Sequence, residues 1–395
     1  MTIGSIGISS LLVLLSAFLY DQAEANLPLP PYAVGLPDEC RVQAKSSDDV
    51  SGALCVNNDF ACGQYCQKVY GSDYKSHSCI NLQSNGLKEC ICRTACAFGG
   101  MWGDPHFWTF DGMKLDYHGT CMLSLAKLTK RLGEMPAFEI RAENKLLNQE
   151  RPVSVPDRLQ IDILEWNVTI EIGDASKVNG EIMPSPASFY HHWGPTEFIT
   201  LTESWRHFGH YGRIRSFKVA TSFGLTVLFE RSTKPDHRDA SGIFIQIPKH
   251  IALKGNVLGL LGRYDGDVSN DDVDAFGIKR AGRDPMDAWR LGDSYCLKRG
   301  KILPAEMEQA RVAAQRERML MCKTNPEKNA TMVTLCNRLD NQSFMNCFGA
   351  RNLVDIMEEC RVDVCYAANH QLENEAACEA VHACNLKCRA NVPCE

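Results

Sequence analysis

The placement of the 19 cysteines constrains the fold of this 395-residue chain more than any other feature of its sequence. Eight lie between Cys40 and Cys96, nine lie between Cys322 and Cys394, and the remaining two are Cys121 and Cys296. Cysteines at this density are typical of proteins that fold in an oxidising compartment. The segment 122–295 has none, so its own hydrophobic core must stabilise it. The sequence therefore predicts a multidomain chain with three zones that are stabilised in different ways.

The first 25 residues have the pattern of an export signal. Residues 5–20 carry no charge and are rich in Ile, Leu, Val and Phe, and Ala23-Glu24-Ala25 fits a signal-peptidase site. The apolar run is shorter than the ~20 residues that cross a bilayer. An N-terminal anchor is the alternative, since no Lys or Arg precedes the run. We expect a signal peptide at 1–25, a Pro-rich linker at 26–37, no membrane span, and secretion into the extracellular space.

Charge and sequons indicate the class of partner. The net charge of −6 is spread along the chain without a basic stripe, which argues against nucleic acid and anionic membranes as partners. Three Asn-x-Ser/Thr sequons, at Asn167, Asn329 and Asn341, predict N-glycosylation of a secreted protein. The expected partners are therefore extracellular proteins or glycans.

Residues 38–97 have the cysteine spacing of a small disulfide-stapled α+β module. Cys62 and Cys66 are four apart, as on one helix face, and Cys90 and Cys92 are two apart, as on one strand face. This pattern resembles the cysteine-stabilised αβ framework of defensins. Because eight cysteines allow 105 connectivities, the pairing rests on the resemblance alone. It implies the pairs Cys40–Cys96, Cys55–Cys79, Cys62–Cys90 and Cys66–Cys92.

Two functions are open for this defensin-like module. Host defence or channel binding would require a strongly basic face. Six basic and five acidic residues between 40 and 96 leave a net charge of only +1. This balance favours the alternative, a structural cap.

The middle zone has the pattern of an antiparallel β-sandwich. Short runs rich in apolar and β-branched residues are separated by Gly, Pro, Asn and Asp at hairpin-like spacing. The predicted strands are Phe138–Leu147, Asn167–Ile172, Glu197–Thr202, Arg215–Ala220, Leu225–Phe229 and Ile243–Ile247.

Two motifs in this zone resemble those of von Willebrand factor type D domains. Gly103–Gly112 reads GDPHFWTFDG, and Leu258–Asp267 reads LGLLGRYDGD, similar to the family's C-G-L-C-G segment. The resemblance implies a D domain at 98–300 with a bridge between Cys121 and Cys296. Leu258 and Leu261 stand where the family has cysteines, which puts disulfide-driven multimer assembly in doubt.

The resemblance also implies a calcium site. The ligands carried over from the family are Asp111, Asp265, Asp267 (through its backbone carbonyl), Asn270 and Asp271. Hard oxygen ligands crowded into a short loop repel one another unless a divalent cation lies among them. Arg263 replaces an Asn ligand of the family, so the predicted affinity is reduced. The alternative is a solvated acidic turn.

The third zone, residues 301–395, is predicted to be helical and cysteine-rich. Pro304–Lys323 has a helix-forming composition, and the cysteines from Cys322 to Cys394 resemble the eight-cysteine module that follows D domains. Nine is an odd number, so one cysteine is left over if no bridge crosses between zones. A disulfide-linked homodimer is therefore predicted.

No motif for catalysis accompanies these features, so the expected function is binding, adhesion or scaffolding in matrix, mucus, haemolymph or an egg coat. The alternatives are a host-defence protein that acts through residues 38–97 and a regulator that sequesters a growth factor. The bond between Asp104 and Pro105 is a predicted self-cleavage site, because an Asp carboxylate can attack its own carbonyl before Pro.

Overall fold

The computed structural model describes residues 39–44, 55, 60–81, 88–103, 106–117, 119–120, 122–132, 135–146, 154–192, 197–207, 213–233, 241–250, 253–272, 289, 317, 320, 322, 324–348, 350–366, 370–388 and 390–394. Some predicted features lie outside these residues. They are the signal peptide, the linker, the Asp104-Pro105 bond, both cysteines of the Cys121–Cys296 pair and most of the helix predicted over Pro304–Lys323.

The N-terminal module (residues 39–95) packs one helix on a small sheet. Its elements are strand β1 (Cys40–Gln43), helix α1 (Phe60–Tyr70), a 3₁₀ turn (Gly71–Asp73), β2 (Tyr74–Asn81) and β3 (Lys88–Thr94). The three strands are antiparallel in the order β1-β3-β2. The disulfides join Cys40 to Cys96, Cys55 to Cys79, Cys62 to Cys90 and Cys66 to Cys92, which are the pairs that the defensin resemblance implies. Two of these bridges fix α1 to β3.

Residues 96–272 form a sandwich of two eight-stranded antiparallel sheets, the β-sandwich. The strands are β4 (Cys96–Trp102), β5 (His106–Trp108), β6 (Lys114–Asp116), β7 (Met122–Leu128), β8 (Phe138–Leu146), β9 (Ser154–Ile163), β10 (Val168–Ile172), β11 (Ser176–Val178), β12 (Glu181–Ile182), β13 (Ser188–His192), β14 (Phe198–His207), β15 (Arg213–Thr221), β16 (Thr226–Ser232), β17 (Gly242–Pro248), β18 (Val257–Gly259) and β19 (Gly262–Arg263). The first sheet has the order β12-β11-β10-β9-β8-β7-β18-β19, and the second has the order β13-β14-β15-β16-β17-β4-β5-β6.

Alternation of side chains explains how the two sheets share one core. In β10 the residues alternate between buried and half-buried positions, so that Val168, Ile170 and Ile172 face inward. Strands β16 and β17 are buried along their whole length, because they are central strands with both faces covered. Strand β9 packs across the sandwich against β4, β16 and β17. The core of this cysteine-free segment is therefore formed by hydrophobic contacts.

The observed strands agree with the predicted ones in position but not in every boundary. Each of the six predicted strands overlaps an observed strand, and a mostly antiparallel β core is confirmed. His191 and His192 lie on the edge strand β13, paired with Ile199 and Phe198, and both are exposed.

The helical module (described residues from 322 to 394) contains α2 (Pro326–Cys336), a 3₁₀ turn (Asn337–Leu339), α3 (Gln342–Phe348), α4 (Ala350–Tyr366) and α5 (His370–Cys388). Asn325 caps α2 by accepting hydrogen bonds from the backbone N–H groups of Glu327 and Lys328. The disulfides are Cys322–Cys365, Cys336–Cys360, Cys347–Cys388 and Cys378–Cys394. Among the described helices, none has the length and apolar character of a membrane span.

Both flanking modules contact the β-sandwich. Cys40 of β1 is bonded to Cys96, the first residue of β4, and the backbone N–H of Gln43 donates to the carbonyl of Ser222 at 2.8 Å. On the other side, His106 of β5 lies 3.0 Å from Asp363 of α4. The three zones therefore meet through specific contacts.

Candidate functional site

The two sequence motifs of the middle zone, which lie about 150 residues apart in the chain, come together at one end of the β-sandwich. The hairpin of β18 and β19 adds to the first sheet beside β7, and Val257 pairs with Leu128. The backbone N–H groups of Leu260 and Leu261 donate to the carbonyls of Ser124 and Leu125. An acidic loop, defined here as Asp265–Asp272, follows this hairpin and lies against the turn that contains Asp111.

Two glycines allow the hairpin to approach so closely. A Cβ on Gly259 would lie 2.1 Å from the carbonyl oxygen of Leu125, which is a severe clash with backbone. Gly262 has a φ of +85°, and a Cβ there would lie 2.2 Å from Oδ1 of Asp271. Glycine is required at the second position for its conformation and for space.

Asp111 ties the first motif to the second. Its Oδ2 accepts the backbone N–H of Asp265 at 3.0 Å and that of Gly266 at 2.9 Å. A carboxylate that accepts two backbone N–H groups fixes the path of the loop, because each bond orients one peptide unit. One function of Asp111 is therefore to hold the acidic loop in place.

Asp271 is the buried acid of the site, with only 3 % of its surface exposed. Its Oδ1 accepts the backbone N–H of Arg263 at 2.9 Å, and its Oδ2 accepts the hydroxyl of Thr109. Burial raises the pKa of Asp271 to about 7; these hydrogen bonds oppose the rise, and the charges of Asp111 and Asp265 add to it. Placing a charge here is costly unless a positive charge compensates it.

Thr109 is a site residue that the sequence reasoning missed. Its hydroxyl donates to Asp271 and accepts the backbone N–H of Met113 at 2.8 Å. Thr109 belongs to the Gly103–Gly112 motif, and this membership is the sequence feature that could have indicated a role at the site. Only the fold shows that its partner lies 162 residues downstream.

The exposed side of the loop is a series of local turns. Asp265 accepts the backbone N–H of Asp267 at 2.9 Å through Oδ1 and the side-chain amide of Asn270 at 3.0 Å through Oδ2. Asp267 accepts the hydroxyl and the backbone N–H of Ser269, and these bonds hold the pKa of Asp267 below its usual value. Arg263 places Nε 3.5 Å from Oδ2 of Asp265.

The donor chemistry of this loop fits a hard divalent cation. The charges of Asp111 and Asp265 act on Asp271, and Oδ1 of Asn270 is buried without a hydrogen bond among the described residues. Carboxylate and amide oxygens are the ligands that calcium prefers. Within the described part of the chain, the sets of three potential ligand atoms within 4.8 Å are disulfide sulfurs, so these carboxylates are not drawn tightly together. Arg263 supplies part of the compensating charge.

Leu258 and Leu261 occupy the positions where the resembling family has cysteines. Leu261 is fully buried, and its carbonyl accepts the backbone N–H of Phe110 at 3.0 Å. A Cβ on Gly99 would lie 3.3 Å from its Cδ1, so Leu261 packs directly on β4. Apolar packing joins the hairpin to β4 here, while Cys96 of the same strand is bonded to Cys40.

The remaining predicted sites lie away from the acidic loop. Asn167 and Asn329 are exposed, and Asn341 is half-buried, with its Oδ1 accepting the backbone N–H of Ser343 at 2.9 Å. The disulfides of the helical module use eight of its nine cysteines, and the ninth, Cys384, is fully buried. The disulfide-linked homodimer stays a prediction, as does cleavage at Asp104-Pro105.

Residues 99–277 match the family model described as the von Willebrand factor type D domain. This match covers the β-sandwich from Gly99 onward and the whole acidic loop. The chain therefore contains a D domain, as the two motifs predict.

Full-length proteins with this similarity are much longer than the chain. Zonadhesin of Sus scrofa is 24% identical over 370 residues, which cover 86% of this chain and 13% of zonadhesin. Hemocytin of Bombyx mori is 25% identical over 348 residues, which cover 87% of this chain and 10% of hemocytin. Alpha-tectorin of Gallus gallus is 27% identical over 250 residues, 60% of this chain and 10% of that protein. The chain thus spans about a tenth of the length of these relatives.

Proposed function

We propose that this protein is a secreted, non-enzymatic adhesion or scaffolding component of an extracellular medium, such as matrix, mucus, haemolymph or an egg coat, with a calcium-stabilised D domain. The observation that carries the proposal is that Asp111 and the acidic loop bind other groups of the protein itself. Asp111 and Asp271 accept four hydrogen bonds, three from backbone N–H groups and one from Thr109. Such a site serves to hold two distant segments together.

The arrangement of the modules supports the same function. A sandwich with a hydrophobic core is flanked by two disulfide-stapled modules, and both contact it. The names of relatives point in this direction, since one is zonadhesin and another is the IgGFc-binding protein of Homo sapiens. Extracellular proteins or glycans are the proposed partners.

The contacts of the defensin-like module with the β-sandwich argue against a function of this module on its own. Gln43 donates its backbone N–H to Ser222 of the β-sandwich, and Tyr70 packs its ring edge-on against His250 at 5.4 Å. A Cβ on Gly224 would lie 2.8 Å from Cγ2 of Val42. Because β1 and α1 both use surface for this contact, we favour a structural cap over host defence. A 38–97 fragment tested for microbial killing distinguishes the two.

Calcium dependence of the D domain tests the proposal. The six tryptophans of the chain all lie between residues 102 and 289, so tryptophan fluorescence reports unfolding of this zone. Calcium bound only by the folded state should raise the melting temperature, and a hundredfold excess over the dissociation constant corresponds to roughly 2.7 kcal/mol. Asp265→Ala should remove this shift. Asp174→Ala, at an exposed acid outside the loop, should retain it.

Two results would contradict the calcium site. One is a wild-type melting curve that a chelator does not move. The other is an equal loss of the shift in both variants, which would assign it to general charge screening. The adhesive role has a separate test, a pull-down from native extracellular fluid with the full chain, with mass spectrometry to identify what is retained.

A further inference from the structure

The hairpin between β9 and β10 carries the sequon of Asn167. Asn167 lies at its tip, is exposed, and has a φ of +51°, in the left-handed region that Asn tolerates better than most residues. Its backbone N–H donates to the carbonyl of Leu164 at 3.1 Å, which closes the turn. Trp166, between them, is buried and packs edge-on against Phe223 at 5.2 Å. The tip is therefore anchored by Trp166.

The strand pairing and the turn bring Leu164, Asn167 and Thr169 close together. Ile163 and Val168 pair with each other and point into the core. Thr169 pairs with Asp162 on the opposite, outer face, where its hydroxyl donates to Oδ1 of Asp162 at 2.7 Å. Leu164 and Asn167 begin and end the turn that follows, joined by the hydrogen bond from the N–H of Asn167 to the carbonyl of Leu164, and both residues are exposed. The sequon Asn and Thr thus stand beside a leucine.

Leu164 provides an exposed apolar side chain next to the sequon. Its side chain is 55% exposed, next to a well-packed hairpin. We propose that Asn167 carries an N-linked oligosaccharide whose first N-acetylglucosamine packs its apolar face on Leu164 and the methyl group of Thr169. Covering exposed apolar surface stabilises the hairpin. The inference rests on the proposed secretion of the chain.

The chemistry of attachment uses a lipid-linked diphospho-oligosaccharide of the secretory pathway. A bond forms between Nδ2 of Asn167 and C1 of the sugar, while the bond from C1 to the diphosphate oxygen breaks. The lipid diphosphate leaves with that electron pair, and the amide nitrogen loses one proton. The side-chain carbonyl of Asn167 is unchanged.

The test expresses the full chain in a secretory host that makes high-mannose glycans. Mass spectrometry of the peptide that contains Asn167 should show a hexose-rich glycan. Endoglycosidase H leaves one N-acetylglucosamine on Asn167, whereas peptide N-glycosidase removes the whole glycan and converts Asn167 to aspartate. The melting temperature, followed by tryptophan fluorescence, should be unchanged after endoglycosidase H and lower after peptide N-glycosidase.

Matched variants separate sugar packing from general effects. Leu164→Ser should abolish the difference between the two enzyme treatments. Asn329→Asp, which removes a sequon from helix α2, should leave it intact. Secretion with an unmodified Asn167, or equal melting after both enzymes, would overturn the glycan contact while leaving secretion supported. Retention in the cell with no glycan on any sequon would overturn secretion as well.

Discussion

His106 and Asp363 lie 257 residues apart in the chain, and Nε2 of the histidine lies 3.0 Å from Oδ1 of the aspartate. His106 is part of the first D-domain motif, and Asp363 belongs to helix α4 of the helical module. The histidine is almost fully buried, whereas the aspartate is one-fifth exposed. This contact therefore couples the D domain to the module that follows it.

Removal of the contact should loosen the helical module. In a double-mutant cycle with His106→Ala and Asp363→Ala, we expect a coupling free energy of about 1 kcal/mol, typical of one hydrogen bond. Faster hydrogen exchange in α4 should accompany it. Glu358→Gln breaks an exposed i,i+3 pair with Arg361 on the same helix and should change little. Additive effects of the two substitutions would show that the contact carries no energy.

Gly262 and Gly180 allow a matched test of the acidic loop. Their φ angles are +85° and +84°, but a Cβ on Gly180 would meet nothing within 4 Å. Gly180→Ala should lower the free energy of unfolding by about 1–2 kcal/mol, because alanine is strained in the left-handed conformation. Gly262→Ala should lower it further, because the new Cβ must also displace the carboxylate of Asp271. Urea unfolding followed by tryptophan fluorescence measures both, and equal losses would mean that Asp271 moves freely.

Glu230 should make the D domain less stable as the pH rises. Burial raises the pKa of its carboxyl from 4.5 to about 7, although Arg206 and Ser216 donate hydrogen bonds to it. Between these values the unfolded chain releases the proton and the folded chain keeps it, so the free energy of unfolding falls. The shift corresponds to about 3 kcal/mol.

Glu230→Gln isolates this effect. Its stability relative to the wild type should increase from pH 4.5 to pH 8, because glutamine has no proton to lose. Urea titrations at both pH values give the comparison. A constant difference between the two proteins would mean that Arg206 compensates the charged carboxylate fully.

Cleavage at Asp104-Pro105 should not separate the protein into two particles. Strand β4, which precedes the bond, pairs with β17 over seven register positions and with β5 over three. After mild acid treatment, reducing gels should show two bands while size-exclusion chromatography retains one peak. Two separate peaks would contradict this, and a single band on the gel would show that the bond is stable.

The strands that the sequence predicted are runs rich in apolar and β-branched residues, such as β10 and β15. Strand β9 was not predicted because its first half contains Pro156, Asp157 and Arg158, which are typical of a turn. In the fold, Asp157 accepts a hydrogen bond from Arg231 at 3.0 Å, and Pro156 lies at an irregularity in the β8–β9 pairing. Long-range contacts of this kind leave no local pattern.

The acidic loop also combines features that a local sequence pattern predicts with long-range contacts that it does not. The motifs placed Asp111 with the acids of the loop, and the fold brings them together. Sequence could not show that Asp111 accepts the N–H groups of Asp265 and Gly266, because backbone partners carry no residue signature. Nor could it show the burial of Asp271, which depends on how closely Gly262 lets the chain approach.

The position of β4 between β17 and β5 sets an order of events during biosynthesis. Cys96 opens β4 and pairs with Pro248, so the second sheet cannot close until roughly 150 more residues have been translated. At 5–20 residues per second this is a wait of roughly 8–30 s. The N-terminal module needs no such wait, since its last cysteine is Cys96 itself. Oxidation can thus fix the start of β4 to Cys40 while the partner strand is still on the ribosome.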